Sequence, residues 1–121
     1  MTHNPGFLQL VEQAKQRVTE CSVAEVKARL DRGESFHFLD IREDHEFAKD
    51  HARGAQHLGK GVIERDIETV VPDKQDEIVL YCGGGFRSAL AADTLQQMGY
   101  LNVRSMEGGI RAWREAGYPL E

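Results

Sequence analysis

Ile78, Val79, Leu80 and Tyr81 run without a polar interruption into Cys82 and three glycines, Gly83 to Gly85, and a segment with helical spacing follows. A short apolar run of strand formers suits a central parallel strand covered on both faces. Such a strand needs helices above and below it, which commits the chain to an α/β fold. Cys82 then falls just past the carboxyl end of a buried strand, where open α/β sheets hold their ligands.

The rest of the chain supplies the partners this strand requires. Phe36 to Ile41, Ala55 to Leu58 and Asn102 to Met106 read as further strands, and another precedes Ser22. Ser22 and Glu25 form a capping box that opens a helix through Val23, Val26, Ala28 and Leu30, with Gly33 as its stop. A short helix is expected near Phe47, and Val62, Ile63, Ile67 and Val70 recur at helical spacing before Pro72. Leu90, Ala91, Ala92, Leu95 and Met98 predict a helix after Ser88 that stops at Gly99, and Ile110 to Ala116 closes the chain as a helix. Alternating strands and helices imply a doubly wound parallel sheet.

Phe7, Leu8, Val11, Ala14 and Val18 also recur at helical spacing, so residues 1–18 read as an amphipathic helix ahead of a domain spanning 19–121. Its apolar face must pack on that domain or on a second copy, which leaves monomer and homodimer both open.

The net charge of −5 disfavours nucleic-acid binding, which needs a basic surface, and makes any anion site a local one. No apolar run reaches the ~18 residues of a membrane span, and no secretory leader is visible at the N-terminus. Cys21 and Cys82 stand in separate contexts without a Cys-x-x-Cys pair, and the five histidines show no ligand spacing, so neither a disulfide nor a metal site is indicated. These features predict a cytoplasmic protein with reduced thiols, no membrane association and no cofactor.

The chemistry concentrates in Cys82-Gly83-Gly84-Gly85-Phe86-Arg87-Ser88. Glycines let successive N–H groups converge on an anion, and the following helix adds the positive end of its dipole. An unperturbed thiol has a pKa of about 8.5, and helix N-termini and cations lower it. The loop therefore suits a reactive thiolate. It lacks the Lys-Ser/Thr ending of a nucleotide-binding loop. An inert buried cysteine beside a tight turn is the plainer alternative.

The sequence resembles the single-domain rhodanese family from about Cys21 to Pro119. Leu39-Asp40-Ile41-Arg42-Glu43 looks like that family's Asp-x-Arg strand end, and Gly54-Ala55 falls at its His-Ile-x-Gly-Ala signature. Cys82 to Ser88 resembles its active loop. Gly99-Tyr100, Asn102-Val103, Glu107-Gly108-Gly109-Ile110-Arg111-Ala112-Trp113 and Gly117-Tyr118-Pro119 resemble its C-terminal signature. One departure is Asp50-His51-Ala52-Arg53-Gly54, where Asp50 and Ala52 replace the usual Gly and Ile.

The resemblance implies a three-layer α/β/α fold with a central parallel sheet, and a sulfurtransferase working by double displacement. Cys82 would take sulfane sulfur from a donor such as thiosulfate or a persulfide, then pass it to cyanide, a small thiol or a protein thiol. The amides from Gly83 to Ser88 would hold the persulfide's charge. Arg87 would either add positive potential or brace the loop by pairing with a carboxylate such as Asp40. Asp40 and Arg42 would order the neighbouring loops, Trp113 would pack in the core and Cys21 would be a passive thiol.

Two other functions compete. Phosphatases and arsenate reductases of the same fold resemble this loop but place five residues between cysteine and arginine, whereas four separate Cys82 from Arg87. The shorter loop suits a persulfide sulfur and the longer one a tetrahedral phosphate. The second alternative is a sulfur carrier or interaction module with little turnover on small donors, because Arg87 is the one cation in the loop able to attract thiosulfate.

Overall fold

The computed structural model describes residues 3–121. In chain order its elements are α1 (Pro5–Lys15), β1 (Thr19–Cys21), α2 (Val23–Asp31), β2 (His37–Asp40), α3 (Asp44–Lys49), β3 (Gln56–His57), α4 (Ile63–Val70), β4 (Ile78–Tyr81), α5 (Phe86–Gln97), β5 (Val103–Met106) and α6 (Gly109–Glu115). The five strands form one sheet in the order β1-β5-β4-β2-β3, and every pairing is parallel. The apolar run read as a central strand is therefore the middle strand of the sheet.

Side-chain alternation along β4 divides the core. Ile78 and Leu80 point into one layer with Ile67, Ala91 and Leu95 of α4 and α5. Val79 and Tyr81 point into the other, with Val26 of α2 and Ile110 and Trp113 of α6. Burying an Ile or Leu completely contributes about 1.5–3 kcal/mol, and all four β4 residues are fully enclosed. The result is the expected three-layer α/β/α arrangement. Among the described residues no helix is long and apolar enough to cross a membrane.

Local signals explain most boundaries. The Ser22–Glu25 capping box forms in both directions at the start of α2, and Gly33 follows its end with φ +73. Pro5 opens α1 in the first turn, where its missing N–H costs nothing. The departure at Asp50 is harmless because its backbone is extended, with φ −169. Its carbonyl accepts from Arg42 and its carboxylate from Arg114.

Two helices differ in their bounds from expectation: α1 spans Pro5–Lys15 rather than 1–18, of which residues 1–2 lie outside the described residues, and the second difference is at the active loop. The helix after the glycines begins at Phe86 rather than beyond Ser88, because Gly85 at φ +98 acts as its N-cap. Phe86, Arg87 and Ser88 are its first turn. Apolar spacing misses that turn because those residues face the end of the sheet instead of the layer beneath it.

The N-terminal helix packs on α5 of its own chain. Val11 and Ala14 are buried there, and Arg17 just beyond the helix makes two hydrogen bonds to Asp93 of α5, at 2.9 and 2.8 Å. Ala14 is only 1% exposed. Ala14→Glu would force a carboxylate into that seam, and urea denaturation should show a loss of about 2–4 kcal/mol.

Candidate active site

Cys82 continues the alternation of β4, so its side chain emerges on the α5 side just as the strand ends. The chain then turns through the glycines into α5, and the thiol sits against the first turn of that helix. Cys82 Sγ accepts from the backbone N–H of Gly85 at 3.2 Å and of Ser88 at 3.3 Å. Ser88 Oγ lies 3.6 Å from the sulfur and 2.7 Å from Ser105 Oγ on β5. Three polar groups thus converge on one sulfur that is almost enclosed by protein.

The loop is oriented from below by α6. Ile110 N–H donates to the Cys82 carbonyl at 2.9 Å, and Arg111 N–H donates to the Gly83 carbonyl at 3.1 Å. In a planar trans peptide the N–H points opposite to the carbonyl. The amides of Gly83 and Gly84 are therefore turned away from α6. The approach is possible because residue 109 has no side chain: a Cβ on Gly109 would stand 2.3 Å from the Cys82 carbonyl oxygen.

Arg87 points back across the loop to α3, where its guanidinium meets Glu46 Oε1 at 3.2 Å. The carboxylate anticipated for it, Asp40, is occupied elsewhere. Asp40 is fully buried at the end of β2 and binds Arg42 through both oxygens, at 2.8 to 3.1 Å. Arg42 extends that pair to the Asp50 carbonyl at 2.7 Å. The two ion pairs are separate: Asp40–Arg42 holds the end of β2 to the Asp50 carbonyl, and Glu46–Arg87 ties α3 to the loop.

The electrostatics of these pairs are consistent. Burial works against the charge on Arg87, yet the Glu46 hydrogen bond and the neighbouring Cys82 sulfur hold its pKa above the ordinary value. Burial likewise works against Glu46, but Arg87 and the Glu43 N–H keep its carboxyl below the usual range. For Cys21, burial first and Glu25 second push the thiol up to about 11. It stays protonated at neutral pH.

The sulfur opens onto a cleft of about 920 Å³ lined by Gly83, Gly84, Phe86 and Arg87 of the loop, Arg42 just past β2, Glu46 of α3, Arg111, Arg114 and Glu115 of α6, and His3 and Phe7 near the N-terminus. Sequence reasoning had Arg87 as the cation of the loop; α6 adds Arg111, whose guanidinium lies 4.0 Å from where a Cβ on Gly84 would stand. Ser105 also went unread, although a serine inside an apolar strand is a signal for it. An arrangement of this kind can stabilise negative charge on Cys82 sulfur and on an atom bonded to it.

Two substitutions test the scaffold. Gly109→Ala must push the Cys82 peptide out of place, with an expected loss of about 2–4 kcal/mol in urea and an altered rate of Cys82 alkylation. Asp40→Ala leaves the Arg42 charge buried without its partner, which should cost about 3–5 kcal/mol by the same measurement.

Residues 22–116 match the family described as Rhodanese-like domain. A putative sulfur carrier protein of Bacillus subtilis, YrkF, is 33% identical over 96 residues, covering 79% of this chain and 51% of that protein, so the chain spans about half its length. A putative sulfurtransferase of the same organism, YtwF, is 34% identical over 96 residues, 79% of this chain and 90% of that one. A solved structure from Rhodopseudomonas palustris, of unknown function and described as a possible tyrosine phosphatase, superposes with a TM-score of 0.89 at 32% identity, covering 100% of this chain and 98% of that one.

Proposed function

The chain belongs to the rhodanese-like domain family, and on that basis we propose that it transfers sulfane sulfur through a persulfide on Cys82. The observation that carries this reading is the set of loop amides. Gly85 and Ser88 already donate to Sγ, while those of Gly83, Gly84, Phe86 and Arg87 donate to no backbone carbonyl among the described residues. They remain for a second sulfur bonded to the first.

The steps balance as two displacements. The Cys82 thiolate attacks the outer sulfur of thiosulfate, the S–S bond breaks, and its electron pair leaves with sulfite. The enzyme keeps a persulfide whose outer sulfur carries the negative charge. A nucleophile such as cyanide or a thiolate then attacks that sulfur and returns the electron pair to Cys82. Ping-pong kinetics follow. The Cys82 thiol donates to Ser88 Oγ at 3.6 Å, and Ser105 Oγ lies 2.7 Å beyond it, so the Ser88 hydroxyl can turn to donate to Sγ once the thiol has ionised. Asp40 and Arg42 act at one remove, by fixing the end of β2, and Arg87 with Glu46 fixes the outer side of the loop. The cytoplasm, with its low-molecular-weight thiols, is the compartment this chemistry fits.

A carrier that accepts sulfur and releases it only to a partner protein is the second reading, suggested by the sulfur carrier among the relatives. A phosphatase is disfavoured by the four residues between Cys82 and Arg87. Intact mass spectrometry separates all three. After thiosulfate or a small persulfide, wild type should gain one sulfur atom and Cys82→Ala none. Cyanide should then remove it with repeated turnover; a single slow discharge indicates a carrier. Hydrolysis of p-nitrophenyl phosphate without any sulfur uptake would overturn sulfur transfer.

A further inference from the structure

The cleft over Cys82 measures about 920 Å³, far more than five-atom thiosulfate would fill. Its walls are chemically unlike each other. One is aromatic: His3, Phe7 of α1 and Phe86 of α5 pack with ring centroids 5.3 Å (His3–Phe7), 4.9 Å (His3–Phe86) and 6.1 Å (Phe7–Phe86) apart. Phe7 and Phe86 are both only half-buried, so ring surface stays available to a ligand.

The facing wall carries four arginines together with the acids Glu46 and Glu115, and most of its positive charge is committed. Arg42 is neutralised by Asp40, Arg87 by Glu46 and Arg114 by Asp50. Arg111 is exposed and makes no ion pair or side-chain hydrogen bond among the described residues; its guanidinium stands beside Gly84 at the edge of the loop. One open cation, one open aromatic surface and one nucleophilic sulfur therefore share a single cleft.

Building on sulfur transfer at Cys82, we propose that the preferred donor is an organic persulfide with a flat apolar group and a carboxylate, read by Phe7 and Arg111 respectively. The ring would lie against Phe7 and Phe86, and the carboxylate would take the Arg111 fork. Cys82 thiolate attacks the outer sulfur of R–S–SH and forms a new S–S bond to it, the donor's own S–S bond breaks, and R–S⁻ departs with the electron pair. The hydrogen on the transferred sulfur stays with it. Phe7 and Arg111 touch the donor but not the bonds that change, so they govern KM more than kcat.

The test compares four donors: N-benzoylcysteine persulfide, its methyl ester, N-acetylcysteine persulfide and thiosulfate. Loading of Cys82 is followed by mass. Wild type should favour the first over the ester and over the acetyl compound by about tenfold each in kcat/KM. Phe7→Ala and Phe7→Leu should abolish the preference for the aromatic ring, and Arg111→Ala the preference for the carboxylate, with Arg111→Lys restoring part of it. Thiosulfate loading should change less than twofold in the Phe7 variants. Equal wild-type loading by all three persulfides, or a Phe7 effect shared equally by thiosulfate, overturns the assignment while leaving sulfur transfer intact. No loading by any donor overturns sulfur transfer and this assignment together.

Discussion

The hydrogen bonds from the start of α6 to the carbonyls of Cys82 and Gly83 are the contact on which the site depends. Without them the loop could rotate its peptides and present carbonyl oxygens to the sulfur, which would repel negative charge. With them, the carbonyls are spent on α6 and the amides are left for the cleft. The arrangement needs a backbone that comes close enough to touch, and Gly109 permits it. A strand with its exit loop and a helix from a later part of the chain are thereby locked into one geometry.

A second constraint operates at the end of β2. Desolvating a carboxylate and a guanidinium is costly, and the cost is offset only when each finds full hydrogen bonding. Asp40 and Arg42 achieve this with each other and with the Asp50 carbonyl, so the segment between β2 and Ala52 is held by charge. Beside it, Tyr81 hydroxyl accepts from the Ala52 N–H at 3.0 Å. The last residue of the central strand therefore anchors the segment between α3 and β3 while its neighbour carries the thiol.

Much of this was legible in the sequence because the signals are local. The run from Ile78 to Tyr81 specified a buried strand, the glycines specified its sharp exit, and Ser22 with Glu25 specified a helix start. What could not be read were relations between distant segments. Arg87 had two buried or half-buried acids within reach of the loop, and only the fold decides that Asp40 belongs to Arg42 and Glu46 to Arg87. The first turn of α5 was hidden because its residues serve the site and break the apolar period. Arg111, one of several arginines near the C-terminus, acquires its place only when α6 docks on the loop.

The helix that walls the cleft lies outside the segment shared with the family, which begins at residue 22. The sulfur and its amides come from the sheet and α5, whereas Phe7 comes from a separate piece pinned to α5 by Val11, Ala14 and the Arg17–Asp93 pair. Phe7 and the sulfur it faces thus come from different stretches of the polypeptide, whereas Phe86 and Arg111 lie inside the matched segment. Altering a few residues near the N-terminus could redirect which molecules reach the sulfur while the machinery beneath stays untouched, a division of labour that makes this small protein a ready starting point for redesign.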